Sequence, residues 1–223
     1  MSEKGFAKSW VYCPECQNVI HGTPGNWPRC EHDWRPNSPY GVLANQRKEL
    51  ALMNDEAIAG LFDQVRCYQS PVELVSVLNL IDDCVPDIKT IVEIGSYHGG
   101  TANIIKAWFP NADLFCVDCN FEHWLAGEIA TRIEGDTRSE ATLTALKAEL
   151  YCKQVDFLFI DGDHSPEGAW NDWNVFSPLV RDGGVIAFHD TGAIPAVKEV
   201  FDQVPGRIKI NIVSFQGIGL IFK

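Results

Sequence analysis

Short apolar runs alternate with amphipathic stretches from residue 90 onward, and this alternation predicts strands that are each followed by a helix. The strands are expected at 90–96, 112–118, 130–136, 155–163, 183–190, 207–215 and 217–223. The helices between them are expected at 100–109, 139–150, 166–180 and 194–204. Apolar residues fill the strands almost without interruption, which is typical of parallel strands covered by helices on both faces. We therefore predict a doubly wound α/β fold with a mostly parallel seven-stranded sheet and an antiparallel last strand.

The chain before the sheet divides into two parts. Helical stretches at 41–65 and 71–84 are expected to flank the sheet. Residues 1–40 differ from them, because they contain five prolines and no hydrophobic period long enough to build a core. We predict a loop-rich segment at 1–40 and an α/β domain with leading helices at 41–223.

The N-terminal segment has the spacing of a metal site, C-x2-C followed by C-x-H. The side chains concerned are Cys13, Cys16, Cys30 and His32, with His21 as an alternative to His32. Thiolate and imidazole ligands hold Zn²⁺ in closed tetrahedral sites, and bound zinc would stabilise a segment that lacks an apolar core. We predict a structural zinc site here, and the spacing leaves free thiols open as the alternative.

The charge balance bears on the kind of ligand. The chain has 18 basic and 30 acidic residues, a formal net charge of −12. Nucleic-acid binding relies on Lys and Arg to neutralise phosphates, so this charge favours a small-molecule ligand instead. No run of about 18 apolar residues occurs, and the first residues lack the apolar core of a signal peptide. We expect a cytoplasmic location and no membrane partner; a homo-oligomer or a protein partner would use the N-terminal segment.

Glycines and acids cluster where the predicted strands end, which is where open α/β sheets bind their ligands. After the first strand of the sheet, Gly95 permits a tight turn, and Gly99 and Gly100 let a ligand approach the next helix closely. Asp118 ends the second strand, where it can accept hydrogen bonds from two ribose hydroxyls, and Asp136 ends the third, beside a nucleobase. The pattern predicts a cofactor site at this edge of the sheet.

Two kinds of enzyme have such a glycine turn. The dinucleotide fingerprint G-x-G-x-x-G requires a second glycine where this chain has Tyr97, which makes a nicotinamide-dependent oxidoreductase the alternative. The motif E-x-G-x-x-x-G-G-T of residues 93–101 resembles instead the first motif of class I S-adenosylmethionine (SAM)-dependent methyltransferases. The resemblance implies a Rossmann-like fold with SAM as cofactor. The cofactor-binding residues that it implies are Glu93, Gly95, Ser96, Tyr97, Gly99, Gly100, Asp118, Asp136 and Asp161.

The second half of the chain resembles small-molecule O-methyltransferases of antibiotic and sugar biosynthesis, many of which depend on a metal. The matching segments are 159–168 and 178–191, and the resemblance extends over roughly residues 70–222. In those enzymes the first acid of a D-G-D segment and an acidic pair after the fifth strand hold the metal. The corresponding residues here are Asp161, His189 and Asp190.

The fourth and fifth strands are expected to be neighbours, so Asp161 and Asp190 should converge and repel each other unless a cation or a proton lies between them. Oxygen ligands favour Mg²⁺ or Mn²⁺. Because His189 replaces an acid, the expectation moves toward Mn²⁺, another transition metal or no metal. Asp161 could instead cap the next helix, and His189 could hydrogen-bond within the fold.

Asp163 and His164 are the candidates for the general base. Histidine titrates near neutral pH, whereas the resemblance implies the second acid of D-G-D, Asp163. We predict methyl transfer from SAM to an oxygen of a small molecule such as a sugar or polyol. A SAM-binding scaffold without activity, whose zinc segment recruits a partner, is the alternative outside enzymology; the intact set Glu93, Gly95, Asp118 and Asp161 argues against it.

Overall fold

The computed structural model describes residues 9–12, 19–22 and 55–223 of the 223-residue chain. In its N-terminal part, β1 (Ser9–Tyr12) pairs antiparallel with β2 (Val19–Gly22), and Tyr12 lies opposite Val19. The four predicted zinc ligands, Cys13, Cys16, Cys30 and His32, lie outside the described residues, whereas His21 lies on β2 opposite Trp10.

Helices and strands alternate through the rest of the chain, as the sequence predicts. The helices are α1 (Asp55–Gln64), α2 (Pro71–Cys84), α3 (Gly100–Trp108), α4 (Glu140–Leu150), α5 (Pro166–Phe176) and α6 (Pro195–Gln203). The strands are β3 (Thr90–Ile94), β4 (Asp113–Asp118), β5 (Thr131–Glu134), β6 (Val155–Ile160), β7 (Val180–His189), β8 (Ile208–Ile212) and β9 (Ile218–Phe222). Within the described residues, no helix has both the length and the apolar character needed to cross a bilayer.

Within residues 55–223 one sheet has seven strands, in the order β5-β4-β3-β6-β7-β9-β8. The strands from β5 to β7 run parallel, and β9 is antiparallel to both of its neighbours. The predicted fold class is therefore confirmed. The chain leaves β3 toward β4 and returns on the other side at β6, so the order reverses between β3 and β6. Ligands of open α/β sheets bind at such a switch point, beyond the carboxyl ends of the strands.

The sheet separates two apolar layers. Ile91 of β3 packs with α1, α2 and α3, whereas the next residue, Val92, packs with α4, α5 and α6. All five residues of β3 and all six of β6 are buried, which explains why these strands are apolar throughout. Helix α5 ends at Phe176, four residues earlier than the predicted 180, because a 3-10 turn with Pro178 follows it and proline cannot continue the α-helical hydrogen bonds.

Candidate active site

The turn after β3 is held against the end of β6 by glycine geometry. Gly95 has φ +81°, and a side chain on it would overlap the backbone carbonyl of Asp161. A side chain on Gly100, the first residue of α3, would overlap the backbone carbonyl of Arg66. The predicted tight turn at Gly95 is present, whereas the close approach at Gly100 is to the protein's own backbone; the predicted approach of a ligand to Gly99 and Gly100 stays a prediction. The turn places the N-terminus of α3 at the switch point, where helix amides favour an anionic or polar ligand group.

Asp118, at the end of β4, supports the same turn. Its Oδ2 atom accepts hydrogen bonds from the backbone N–H groups of Ser96 (2.9 Å) and Tyr97 (2.8 Å). Its Oδ1 atom accepts a hydrogen bond from the backbone N–H of Asn120 at 3.2 Å. The sequence predicts a ribose contact for this carboxylate but not this anchoring contact, which joins two segments 21–22 residues apart.

A cleft of about 360 Å³ opens beside the turn. Its walls include Gly95, Asp118, Gly135, Asp136, Arg138, Gly162 and Asp163. The structure thus brings together three predicted cofactor residues from the ends of three neighbouring strands. Arg138 was not predicted; its guanidinium pairs with Asp136 at 3.0 Å and lies 3.6 Å from Asp163.

Glu93 does not reach this cleft, because its side chain is fully buried beneath the turn. Burial raises the pKa of Glu93 to about 7, and the Cys116 thiol donates a hydrogen bond to its Oε2 atom at 3.3 Å. The Oε1 atom of Glu93 and the hydroxyl of Ser96 are buried without a hydrogen-bond partner in the described part of the chain. Any effect of Glu93 on a ligand in the cleft would therefore pass through the turn above it.

Aromatic rings surround the outer side of the turn. The rings of Tyr97 and His98 lie 3.8 Å apart, and Tyr68 and His123 lie 6.1 and 5.7 Å from Tyr97. Tyr68 and Tyr97 are 63% and 51% exposed. We refer to Tyr68, Tyr97, His98 and His123 as the aromatic rim.

Four titratable side chains meet at the ends of β6 and β7: Asp161, His164, His189 and Asp190. His189 Nδ1 lies 3.0 Å from Asp161 Oδ1 and 3.3 Å from Asp190 Oδ2. His164 Nε2 lies 3.3 Å from the same two carboxylate atoms. The predicted convergence of Asp161 and Asp190 is therefore observed, with two imidazoles beside the carboxylates. We call these four residues the catalytic cluster, after the role that is proposed for them below.

The carboxylates of the cluster shift its imidazoles toward the charged form. Burial by itself would lower the pKa of His189, but the hydrogen bonds and charges of Asp161 and Asp190 raise it to about 10. A hydrogen bond with Asp161 also raises the pKa of His164. Burial would raise the pKa of Asp161, yet the two imidazoles hold it below its usual value. The cluster therefore carries compensating charges within a largely buried site.

The cluster also offers ligands for a cation. One ligand atom each from Asp161, His164 and Asp190 lies within 4.8 Å of the others. Two carboxylates and an imidazole form a donor set that suits Mn²⁺ or a later transition metal as well as Mg²⁺. The predicted set has His189 as the imidazole; in the structure Nδ1 of His189 contacts both carboxylates, and His164 lies at similar distances from them.

Two further side chains near the cluster make contacts that the sequence patterns did not predict. Gln69, which precedes α2, donates a hydrogen bond from Nε2 to Asp161 Oδ2 at 2.6 Å. Asp163, predicted as a base, accepts a hydrogen bond from the backbone N–H of Ser165 at 2.9 Å and faces Arg138. These contacts hold the pKa of Asp163 below its usual value. No motif signals Gln69, because it lies outside the strand ends and the glycine turn.

Known proteins match this chain in sequence. Residues 92–191 match the family model of a methyltransferase domain. A protein of Acanthamoeba polyphaga mimivirus, "Uncharacterized protein R132", is 29% identical over 161 residues, which are 63% of this chain and 72% of that protein. The residues that match the family model, 92–191, contain the glycine turn, Asp118 and the catalytic cluster.

Solved structures agree with the family match. An O-methyltransferase from Bacillus cereus in complex with SAH (S-adenosylhomocysteine) superimposes with a TM-score of 0.58 at 15% identity, covering 79% of this chain and 94% of that one. MycE methyltransferase from the mycinamycin biosynthetic pathway, in complex with Mg, SAH and mycinamycin VI, gives 0.56 at 16% identity, covering 82% and 54%. The fold is that of class I SAM-dependent methyltransferases. The resemblance predicted from the sequence is thus confirmed, and residues 92–191 correspond to a methyltransferase domain.

Proposed function

We propose that the protein transfers the methyl group of SAM to an oxygen atom of a small molecule. The observation that carries the proposal is the catalytic cluster at the ends of β6 and β7, next to the turn that follows β3. The methyltransferase match over residues 92–191 supports methyl transfer, and the O-methyltransferase among the similar structures supports oxygen as the acceptor atom.

The cleft beside the turn is the proposed SAM site. Asp118 would accept hydrogen bonds from the ribose, and Asp136 with Arg138 would border the adenine, since these residues line the cleft. The turn, which contains Ser96, Tyr97, Gly99 and Gly100, would hold the methionine part. Gly162 and Asp163, which directly follow Asp161 in the chain, also line the cleft, and this supports a cofactor whose sulfonium points toward the catalytic cluster.

His164 is the proposed general base. SAM supplies a methyl group on a positively charged sulfur; the acceptor oxygen forms the new bond to carbon while the carbon–sulfur bond breaks. The hydroxyl proton has to leave, and the partly exposed His164 imidazole would accept it. Its Nε2 atom lies 3.3 Å from Asp161 and Asp190, whose charges would stabilise the imidazolium that forms. Asp163 is the weaker candidate, because its carboxylate is already hydrogen-bonded to Ser165 and faces Arg138.

A cation at the cluster is the second part of the proposal. Asp161 and Asp190 would hold it together with the His189 imidazole in its neutral form, leaving the His164 imidazole free for proton transfer. Such an ion would orient the acceptor oxygen and lower the pKa of its hydroxyl. Without a bound cation, His189 would instead provide the site with a positive charge of its own, because its pKa is raised to about 10.

The aromatic rim is the proposed wall of the acceptor site. Tyr68 precedes Gln69, whose amide contacts Asp161, and this adjacency along the chain supports an acceptor site between the rim and the catalytic cluster. Exposed aromatic faces pack well against rings with an apolar face, which include pyranoses and phenols. The rim therefore favours a cyclic acceptor over a linear polyol.

Calorimetry and an acceptor screen test the proposal together. SAH should bind to the purified protein and NAD should not; NAD binding without SAH binding would support the oxidoreductase instead. Mass spectrometry of reactions with SAM and a panel of sugars, phenols and polyols should then detect a methylated product. Asp161→Asn should abolish product formation while SAH affinity stays within about threefold, and the exposed Asp182→Asn serves as the matched control.

We also propose a structural zinc ion held by Cys13, Cys16, Cys30 and His32. Support comes from the ligand spacing and from the pairing of β1 with β2, since residues 13–18 connect Tyr12 and Val19, which lie opposite each other. A C-x2-C pair between two paired antiparallel strands is a spacing that zinc sites use.

A further inference from the structure

Gln69 has a defined position between the two halves of the site. It precedes α2, outside the matched residues 92–191, and its side chain is 6% exposed. Its Nε2 atom donates to Asp161 Oδ2 at 2.6 Å. Its Oε1 atom accepts hydrogen bonds from the Cys67 thiol at 3.1 Å and from the Thr101 hydroxyl.

These partners determine the orientation of the amide. A glutamine amide has one end that accepts hydrogen bonds and one that donates them. The Thr101 hydroxyl and the Cys67 thiol occupy the accepting end, so the donating end is directed at Asp161. Rotating the amide would place its oxygen against a carboxylate oxygen, which is repulsive.

The contact with Gln69 in turn orients the carboxylate of Asp161. Because Oδ2 is bound to Gln69, Oδ1 is the atom that faces His189 (3.0 Å) and His164 (3.3 Å). The two oxygens of Asp161 thus have different partners: Oδ2 accepts a hydrogen bond from Gln69, and Oδ1 faces the two imidazoles of the catalytic cluster. We propose that Gln69 is a positioning residue for methyl transfer, which holds the Asp161 carboxylate in the orientation that the catalytic cluster requires.

One hydrogen-bond partner of Gln69, Thr101, lies next to the proposed cofactor site. Thr101 belongs to the first turn of α3, directly after the glycine turn, and is 7% exposed. The chain Thr101–Gln69–Asp161 therefore connects the helix that follows the proposed methionine site to the carboxylate beside the acceptor. A displacement of α3 would be transmitted to Asp161 through side chains that are nearly inaccessible to water.

Substitution at Gln69 separates positioning from general stability. Gln69→Met keeps the length and volume of the side chain but removes the donor. We expect it to lower kcat about 10²-fold, the scale of a misplaced catalytic group, while the Kd for SAH changes less than about threefold. The thermal midpoint and the SAH affinity report whether the variant is folded.

Gln69→Glu provides the conservative rescue. A protonated glutamic acid can donate the missing hydrogen bond to Asp161, whereas the ionised form repels it, and a second carboxylate nearby raises the pKa at which this change occurs. The ratio of the kcat of Gln69→Glu to that of the wild-type protein should therefore rise as the pH is lowered from about 8 to about 6. A ratio that does not change with pH would contradict a hydrogen bond donated by residue 69 to Asp161.

The catalytic consequence rests on the proposed function, but the position of Asp161 can be tested without it. We expect the crystal structure of Gln69→Met to differ from that of the wild-type protein in one respect. In the variant the Asp161 carboxylate should be rotated, with Oδ1 no longer within hydrogen-bond distance of both imidazoles. An unchanged carboxylate in Gln69→Met would overturn the proposal. A protein that methylates no acceptor, yet shows the rotation, would disprove the proposed function and leave the positioning role of Gln69 intact.

Discussion

The Nδ1 atom of His189 lies 3.0 Å from the Oδ1 atom of Asp161, so a buried imidazole and a largely buried carboxylate form an ion pair at the ends of two neighbouring strands. The resemblance to metal-dependent O-methyltransferases implies an acid at position 189. An acid there would add a third negative charge, whereas His189, with its pKa raised to about 10, adds a positive one. The cluster therefore demands less charge from a bound cation than three carboxylates would, and the need for a metal becomes a question for experiment.

Removal of divalent cations answers that question. We expect exhaustive chelation to abolish methyl transfer and added Mn²⁺ to restore it more effectively than Mg²⁺, because the donor set contains imidazole. The measurement is product formation by chelated protein with and without each ion. Full turnover in chelator would show that His189 alone supplies the positive charge. The zinc content of the treated protein has to be checked, since a chelator could also unfold an N-terminal zinc segment.

Replacement of His164 should reveal the base. His164→Gln is expected to slow methyl transfer by about 10²–10⁴-fold, the usual contribution of a general base. Asp163→Asn should cost much less, because the Asp163 carboxylate is engaged by Ser165 and Arg138. In the wild-type protein kcat should rise with pH, as His164 must be neutral to accept a proton and its pKa lies above 6.5. If Asp163→Asn proves the slower variant, the two roles are reversed.

Asp118 should contribute to cofactor affinity in two ways: its carboxylate would bind the ribose, and it anchors the turn that would hold the methionine part of SAM. Asp118→Ala is expected to weaken SAH binding by roughly 1.5–3 kcal/mol, the scale of a hydrogen bond to a charged group. Asp118→Asn is the matched variant, because an amide oxygen can still accept hydrogen bonds from the backbone N–H groups of Ser96 and Tyr97. Calorimetry with SAH should therefore rank the alanine variant below the asparagine variant. Equal affinity in all three proteins would remove Asp118 from the cofactor site.

Glu73 should make the fold sensitive to acid. Its buried carboxylate accepts hydrogen bonds from four successive backbone N–H groups, those of residues 214–217, which form the turn between β8 and β9. Burial would raise the pKa of Glu73, but these donors hold it below 4.5. The stabilisation is therefore fully present above pH 4.5, the value for the unfolded chain, and is lost as the pH falls through the lower folded value.

Glu73→Gln measures that contribution. At neutral pH it should lower the free energy of unfolding by about 1.5–3 kcal/mol, because hydrogen bonds to a charge are lost. Urea denaturation at a series of pH values should show the difference from wild type shrinking below pH 4.5. The exposed Glu149→Gln is the control and should leave stability unchanged. A difference independent of pH would mean that the carboxylate is not ionised in the folded protein.

Elemental analysis of the purified protein tests the prediction of an N-terminal zinc site. Protein purified without added metal should contain about one equivalent of zinc, because closed four-ligand sites retain their ion. Cys13→Ser should remove it, whereas Cys152→Ser, at an exposed position outside the segment, should not. Native protein with no zinc and all eight thiols open to titration would refute the site.

Local patterns were sufficient for the architecture. Strands buried on both faces have to be apolar throughout, so their positions and the parallel sheet can be recognised from residues 90–189 alone. The cluster of Asp161 and Asp190 follows from the same logic, since both residues end neighbouring parallel strands. The turn at Gly95 can also be predicted from the sequence, because a residue with φ +81° packed against a backbone carbonyl has to lack a side chain.

The supports of the site could not be predicted in this way. Gln69 contacts Asp161 across 92 residues, and Glu73 contacts Ser214 across 141. Neither residue ends a strand or belongs to the alternation of strands and helices that predicts the sheet. Many other polar residues in and beside the leading helices look the same in the sequence. Which of them becomes buried against the site depends on how α2 packs on the face of the sheet. A hydrogen bond of this kind is selected by three-dimensional packing, because burial is what makes one polar partner necessary and excludes water as its substitute.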